Sequence, residues 1–541
     1  MSREGVGIPG ESKDRWAGAL AMIFIPQILG LAVVGWLYRH SLNSDAVAYL
    51  RLAHYYAEGP LELAVSGNWG PMLSWLLAPL LKAGLAPLTA ARVLMGLSAV
   101  WFLWASTVLF RVYALSPRIA RLCAALIAVV TIPWSVENIT PDLLVGGFIC
   151  LGVAALSIPG WLASGRRALS AGVIWGAAYL AKAIAFPLAL LTAVAFAALW
   201  KFSAGSSLRI SGRAAGLTLL AFSLVATPWV TVLSLKYGRF TFSTTRAMMH
   251  AAGDPRVAGG ASPPFLGARF ETPAPGRLTI WEDPSVSTEF AWSPVSSWSN
   301  AARQLRQSAV SFCRTQVAIT SVYAAWWPLV MATAVVILRA RSRPVILPER
   351  FGWPLMPVLI LNCLYLPQAV SATEHRYFFS TLPLLLLASF QLGRAGAGLR
   401  TQFLVWGMAL SALLPALGRW AVLTPPSKTA AHYAHVLSEK LRQADIRGPF
   451  AGNAFLPRGR TGLYLAFLME QPWLGDEPNP TAESYRQSGA GVIVVRRDAQ
   501  VNAELKTGGD FQDLDTILFT NKIEADAFPV KVYQLHKAGP P

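Results

Sequence analysis

Asp45 lies in Asn43-Ser44-Asp45-Ala46-Val47-Ala48-Tyr49-Leu50-Arg51-Leu52-Ala53-His54-Tyr55-Tyr56, directly behind the first long apolar run. The stretch combines an acid, an arginine, a histidine and several tyrosines. In a helix from Ala46 to Glu58, a step of ~100° per residue puts Asp45, Tyr49, Leu52 and Tyr56 on one face and turns Arg51 and His54 elsewhere. A carboxylate at a membrane–water boundary, under a roof of helices, is placed to act as a general base. Asn43, Ser44 and Asp45 are also good helix N-caps, and the two roles are compatible.

Other charged groups punctuate later apolar runs. Glu137-Asn138-Ile139-Thr140-Pro141-Asp142 sets two carboxylates in one turn. Asp142 behind Pro141 suits a helix macrodipole, whereas Glu137 has no such local reason. Lys182 interrupts Ala177–Leu190, where a lysine marks either a functional site or a side chain snorkelling to the interface. Glu374-His375-Arg376-Tyr377 opens a late apolar run. Arg376 and Lys182 together have the chemistry to grip a phosphate, the alternative being a surface pair of Glu374 with Arg376. Trp281-Glu282-Asp283-Pro284 lies in a long polar segment. A tryptophan beside two acids suits stacking on a sugar while accepting its hydroxyl hydrogen bonds, and a turn capped by Asp283 is the competing reading.

Metal chemistry is not indicated. Cys123, Cys150 and Cys363 lie in apolar runs and Cys313 near one, so neither a disulfide framework nor a zinc site is expected. Asp513-Leu514-Asp515 has the Asp-x-Asp spacing of nucleotide-sugar enzymes, but it falls in a region expected outside the cytoplasm. His432, His435 and Glu439 share a helical face and read best as solvated surface. No cofactor is required by these groups.

Hydrophobic helices must position all of them. Of 541 residues, 54% are hydrophobic and 14% charged, and the mean hydropathy is +0.44. Soluble domains carry about 25% charged residues, so the chain reads as a polytopic membrane protein. The net charge of +18 sits in short loops, which suits membrane lipid and topology better than nucleic acid. Residues 1–16 are polar with Arg3, Lys13 and Arg15. Ala17–Leu37 follows without a cleavage site and ends on Trp36, Tyr38 and Arg39, as a retained first span would. Further spans are expected at Leu88–Phe110, Ile119–Trp134, Leu143–Trp161, Leu169–Ala181, Ala183–Trp200, Ala214–Leu235, Val317–Leu338, Trp353–Val370, Tyr377–Leu392 and Phe403–Leu423, about eleven in all. Leu169–Trp200 is divided near Lys182 because a single helix of ~48 Å exceeds a ~30 Å hydrocarbon core. Met72–Leu81, about half a span, is expected to lie along the interface.

With this count the basic loops alternate onto one side. Arg111, Arg118 and Arg121; Arg166 and Arg167; Lys201, Arg209 and Arg213; Arg339 to Arg350; and Arg394 and Arg400 join the N-terminus in the cytoplasm. Asp45, the 137–142 turn, Lys182, the segment after Lys236, the 374–376 turn and everything after about Thr424 then face the periplasm or exterior of a bacterium. The fold expected is mainly α: a transmembrane helical bundle over residues 1–423, with a long loop at 237–314 holding Trp281, Trp292 and Trp298, and a small extracytoplasmic α/β domain over 424–541. Within that domain His432–Gln443 reads as helix, and Gly448–Asn453, Gly491–Val495, Thr516–Thr520 and Val530–Gln534 read as strands.

An acid just after the first span, within Asp-x-x-x-Tyr-Leu-x-x-Ala, resembles the GT-C superfamily of membrane glycosyltransferases, above all the protein O-mannosyltransferase and aminoarabinose-transferase group. The resemblance continues in order through Trp69-Gly70-Pro71-Met72-Leu73-Ser74-Trp75, Thr140-Pro141-Asp142-Leu143-Leu144, Gly176-Ala177-Ala178-Tyr179-Leu180-Ala181-Lys182 and His375-Arg376-Tyr377. It implies inverting transfer of a sugar from a polyprenyl-phosphate donor to an acceptor outside the cytoplasm: a glycan, glycolipid or protein. It also implies Asp45 as the catalytic acid–base residue, and Lys182 and Arg376, with His375 beside it, at the donor phosphate. Tyr49, Arg51, Trp69, Glu137 and Asp142 are further substrate-binding candidates, with Trp281, Glu282 and Asp283 on the loop. Two features depart from the group: Ala46, not a second acid, follows Asp45, and no lysine precedes Pro71. A polysaccharide ligase or polymerase would share this topology. A transporter would be expected to show internal repeats and mid-membrane charges, and neither is clear.

Overall fold

The structure is a computed structural model. It describes residues 13–251, 270–285, 293–323, 350–366, 374–394 and 423–536 except 454, 457, 458 and 478, together with isolated positions between 329 and 421. Side chains are described from residue 21 onward. Runs rich in Ala and Leu form helices, whose backbone polar groups are satisfied internally. They are α1 (Lys13–Leu37), α2 (Ser44–Glu58), α3 (Pro71–Lys82), α4 (Pro87–Val112), α5 (Pro117–Glu137), α6 (Asp142–Ser157), α7 (Gly165–Ala181), α8 (Ala185–Phe202), α9 (Leu208–Tyr237), α10 (Trp298–Tyr323), α11 (Leu355–Tyr365) and α12 (Thr381–Arg394).

Among the described residues, α4, α5, α8 and α9 are long and apolar enough to cross a membrane. Ala21–Leu37, α6, α11 and Thr381–Leu392 are shorter apolar helices. The chain breaks at Lys182 as the length argument requires: α7 ends at Ala181, and α8 begins at Ala185. Most of the span expected at Phe403–Leu423 and the second half of Val317–Leu338 lie outside the described residues, as does Trp292. The long loop is shorter than expected, because α10 starts at Trp298. Its polar and apolar residues alternate at helical spacing around Arg303 and Arg306, a pattern that hydropathy alone passes over.

Contacts divide the helix ends into two sets. Tyr113 and Ser157 share a hydrogen bond of 2.7 Å, and Arg350 donates to the Ser157 carbonyl at 2.8 Å and lies over the Trp200 ring. Asp45, Asp142, Lys182 and Arg376 meet at another point.

The C-terminal part is an α/β unit: α13 (Ala430–Gln443), β1 (Phe450–Asn453), α14 (Thr461–Met469), β2 (Trp473–Asp476), α15 (Ala482–Ser488), β3 (Val492–Arg496), β4 (Phe511–Asp513) and β5 (Val530–Leu535). The sheet order is β2-β1-β3-β5-β4, with β2, β1 and β3 parallel and the remaining pairs antiparallel. The expected strand at Thr516–Thr520 is instead a helical turn over Asp515–Leu518. Asp513 accepts a bond from the Asp515 amide and turns the chain there, so the short apolar run packs as a turn beside the sheet. The edge strands β2 and β4 are too short for an alternation to be read from sequence.

Packing assigns α2 to an unexpected partner. The membrane helices share a core that includes Phe102, Trp134, Trp175, Tyr179 and Leu385. The buried face of α2 (Ala46, Val47, Leu50, Ala53) belongs instead to a second core. That core runs through Leu73 and Leu77 of α3 and Ala90 and Leu94 of α4 into Leu463, Tyr464 and Leu465 of α14.

Candidate active site

The charged residues singled out in the sequence converge. Arg376, buried at 5% exposure, places Nη2 2.6 Å from Oδ2 of Asp45 and donates to Oε1 of Glu374 at 3.0 Å. Its Nη1 stands 3.8 Å from Oδ2 of Asp142. Lys182 Nζ donates to Oδ1 of Asp142 and lies 4.0 Å from the centre of the Tyr377 ring. Thr140 donates to the other Asp142 oxygen at 2.7 Å. His375 Nε2 and Glu137 Oε2 are 3.6 Å apart at the edge of the cluster.

Each group is delivered by the end of an element. Asn43 occupies the N-cap position of α2, but its side chain does not cap the helix. It accepts from the Ile139 amide at 2.9 Å and ties the Asp45 turn to the 137–142 turn. Asp45 is the second residue of α2, inside its first turn and not at the cap, and its carboxylate is turned to Arg376. Asp142 is the first residue of α6, where the macrodipole and two cations all favour its charge. Arg376 sits in a helical turn, His375–Phe378, held where Phe379 stacks on Trp134 with ring centres 3.8 Å apart.

Chemically, the arrangement offers a part-exposed carboxylate beside two cations. The acids in contact (Asp45, Asp142, Glu374) outnumber the cations (Lys182, Arg376). Each cation is paired with a carboxylate: Glu374, with 43% of its side chain exposed, is the most accessible of the three, Asp45 follows at 17%, and Asp142 is buried at 2%.

Tyr49 is buried against Trp69, ring centres 5.1 Å apart, and Trp69 meets Trp281 at 5.3 Å. Trp69 Nε1 donates to the Trp281 carbonyl at 2.9 Å. This aromatic row brings the loop beside α2. The loop acids face inward: Glu282 is fully buried and accepts from Tyr55 Oη at 2.8 Å and the Leu278 amide at 2.8 Å, with Arg277 3.5 Å and Arg51 3.7 Å away. Asp283 binds Lys236 at 2.5 Å and Tyr237 at 2.8 Å. Arg51, Glu282 and Asp283 thus fasten the loop to α2 and α9, and their bonding groups are engaged in that framework.

Sequence reasoning missed other parts of the site. Arg92 of α4 donates to the carbonyls of Ser41, Ser135 and Val136, clasping the chain before Asp45 to the end of α5. Tyr365 stacks on Tyr377 at 5.3 Å. An isolated basic residue in an apolar run was the available signal for Arg92.

Among the described residues no group of three or more His, Cys, Asp or Glu could hold a metal ion. Asp513 and Asp515 are engaged by Lys531 at 2.6 and 2.9 Å, and Asp515 also by Arg497. Two cations on one Asp-x-Asp leave it neutralised as an ion-pair network.

No protein-family model matches the sequence, and no curated protein does. Solved structures do match. ArnT from Cupriavidus metallidurans, bound to undecaprenyl phosphate, is 14% identical with a TM-score of 0.57, over 98% of this chain and 100% of that one. The oligosaccharyltransferase of Archaeoglobus fulgidus, in complex with Zn and sulfate, is 11% identical with a TM-score of 0.52, over 88% of this chain and 68% of that one. At such identities the likeness is one of fold, and it extends across both the helical part and the C-terminal α/β part: the chain shares the fold of ArnT and of the archaeal oligosaccharyltransferase.

Proposed function

We propose that the protein is an inverting glycosyltransferase that moves a sugar from a polyprenyl-phosphate donor to an acceptor outside the cytoplasm. The observation that carries this reading is the meeting of Asp45, Arg376 and Lys182 at one end of the helices. A lipid-borne sugar phosphate needs cations for its phosphate, a base for the acceptor hydroxyl and apolar helices for its isoprenoid. The fold shared with ArnT, a protein solved with undecaprenyl phosphate, supports the same donor class.

In this reading the donor phosphate takes Arg376 and Lys182. Asp45, released from Arg376, accepts the acceptor's proton as its oxygen attacks the anomeric carbon from the face opposite the phosphate. The bond from the anomeric carbon to the phosphate oxygen breaks, and the cations stabilise the departing charge. His375 and Glu137 flank the phosphate side, and Tyr49 and Trp69 line the base side. No cofactor is needed. The N-terminus is assigned to the cytoplasm, and the site and the C-terminal domain to the periplasm or exterior, with α3 lying along the interface. Lipid-linked arabinose, hexose and oligosaccharide donors all fit this chemistry.

The test is single-turnover transfer from a panel of polyprenyl-phosphate sugars by purified enzyme in nanodiscs, alongside profiling of glycans and glycolipids in a deletion strain. Sugar transfer that Asp45→Asn abolishes supports the reading. Full turnover in Asp45→Asn, or donor affinity unaltered in both Lys182→Met and Arg376→Gln, refutes it.

A further inference from the structure

We propose that Arg92 and Asn43 are positioning residues for Asp45, because they tie the turn that carries it to the turn that carries Asp142. The kinetic consequence rests on the catalytic reading of Asp45. The mechanical tie stands apart from that reading.

Two connections are linked three times, in the same order along both. One joins α1 to α2 and leads through Ser41 and Asn43 to Asp45. The other joins α5 to α6 and leads from Val136 through Ile139 to Asp142. Arg92 Nη2 donates to the Ser41 carbonyl, and its Nη1 donates to the carbonyls of Ser135 and Val136 at 3.2 and 3.1 Å. The Ile139 amide donates to Asn43 Oδ1 at 2.9 Å. Arg376 closes the row, with Nη2 2.6 Å from Asp45 and Nη1 3.8 Å from Asp142.

Local roles account for neither residue. Among the described residues no carboxylate pairs with Arg92, so its charge is spent on backbone carbonyls. Ser135 and Val136 are in the last turn of α5, where carbonyls have no helical partner, and a planar fork serves them and Ser41 together. Asn43 stands at the N-cap position of α2 but makes no capping bond, and its side-chain oxygen goes to the other turn.

The tie matters most during reaction. Asp142 keeps Thr140 and Lys182 as further holds. Asp45, in the proposed reaction, leaves Arg376 as the donor phosphate arrives, and the third link is then lost. Arg92 and Asn43 remain to hold its turn. A misplacement of about 1 Å can cost about 10²-fold in rate, so these two links bear on turnover.

The variants are Arg92→Gln, which removes the fork, and Asn43→Ala, which removes one hydrogen bond without uncapping α2. Full-length protein in nanodiscs is read by hydrogen exchange at the Ile139 amide, by the single-turnover rate of transfer from a polyprenyl-phosphate sugar, and by titration with polyprenyl phosphate. In Arg92→Gln the acceptor of the Ile139 amide is untouched, yet exchange there should rise about tenfold, the scale of one lost hydrogen bond. In both variants the rate should fall about ten- to hundredfold. Affinity for polyprenyl phosphate should stay within about threefold, because Lys182 and Arg376 keep their places, and general destabilisation would not confine the loss to rate. If Arg92→Gln does not fold, Arg92→Lys, which keeps the charge and loses the fork, takes its place in the same measurements. Wild-type rates in both variants overturn the proposal, as does unchanged exchange at Ile139 in the Arg92 variant or a fall in affinity as large as the fall in rate. If Asp45→Asn retains full turnover, the catalytic reading fails by itself, and exchange at Ile139 still decides the mechanical tie.

Discussion

Arg376 and Asp45, 331 positions apart in the chain, face each other at 2.6 Å between Nη2 and Oδ2. The cation assigned to the donor and the acid assigned to the acceptor thus neutralise each other across the site. Such a pair can act as a latch, because a phosphate that takes the guanidinium frees the carboxylate only when the donor is in place.

The latch predicts opposite effects of one substitution on binding and turnover. Asp45→Asn removes one of the two carboxylates bonded to Arg376, Glu374 keeping the other contact, so polyprenyl phosphate should bind more tightly, by about tenfold or ~1.4 kcal/mol. Turnover should fall by about 10² to 10⁴ as general-base catalysis is lost. Titration in nanodiscs together with single-turnover rates separates the two. Weaker binding in Asp45→Asn would show that the carboxylate helps hold the donor and is not released by it.

Lys182 and Asp142 form an ion pair whose carboxylate is 2% exposed, with Thr140 on the second carboxylate oxygen. Breaking such a pair on one side leaves an uncompensated charge and costs about 3–5 kcal/mol. Asp142→Asn should therefore lower the thermal midpoint sharply, and Asp142→Asn with Lys182→Met should recover part of it while remaining unable to bind donor. Additive losses in the double variant would rule out the pairing as the source of stability.

The inward-facing loop acids set a different expectation. Glu282→Gln weakens bonds to Tyr55, Arg51 and Arg277 in a fully buried place. It should cost about 1–3 kcal/mol of stability while leaving KM for donor and acceptor unchanged below the unfolding transition. A raised KM with an unaltered melting curve would return Glu282 to direct sugar contact.

What was legible in the sequence follows from how each feature is encoded. Asp45, Asp142, Lys182 and Arg376 stand out because a charge in or beside an apolar run is costly, and their common side follows from loop charges. Lys182 could be read as a helix break from length alone. The Asp45–Arg376 contact is not local, so no spacing predicts it. The burial of Glu282 and Asp283 depends on Arg51, Tyr55, Lys236 and Tyr237 in distant helices, and a surface turn with the same residues would look identical in sequence. The sharing of one core by α2 and α14 was hidden for the same reason: an amphipathic face does not say what covers it. Short strands such as β2 and β4 carry too few residues for an alternation.

The stack of His40 on His435 of α13, ring centres 4.0 Å apart, gives the junction between the segment after α1 and the C-terminal domain a pH dependence. Burial, with His435, Arg39 and His432 adding to it, holds the His40 imidazole down to about 4 from an ordinary 6.5, against an upward pull from Glu439. A base whose folded value is depressed leaves stability intact above pH 6.5. Stability is lost as pH falls from there towards 4, because the unfolded state takes up the proton first. The thermal midpoint should therefore fall through that window in the wild type and fall less in His40→Asn. Identical pH profiles for the two proteins would show that other groups govern the junction.

Gly70 tests whether the short helix α3 must touch the break before Lys182. A Cβ built at Gly70 would lie 2.3 Å from the Ala181 carbonyl oxygen, 2.7 Å from its carbon and 2.9 Å from the Leu180 oxygen. All of these are backbone atoms, so no side chain can swing aside. The φ of −62° at Gly70 suits any residue, so space is the requirement there and conformational freedom is not. Gly70→Ala should push α3 away from the end of α7, shift Lys182 from Asp142 and Tyr377, and cost about 1–3 kcal/mol by overpacking. Gly96, within α4, has nothing within 4 Å of its built Cβ, so Gly96→Ala is the matched control and should be neutral or slightly stabilising. Donor titration and thermal unfolding of both variants read the result. Weakened donor binding in Gly70→Ala, with Gly96→Ala unchanged, ties the seat of α3 to the phosphate site, and equal donor affinity in the two variants would disconnect them.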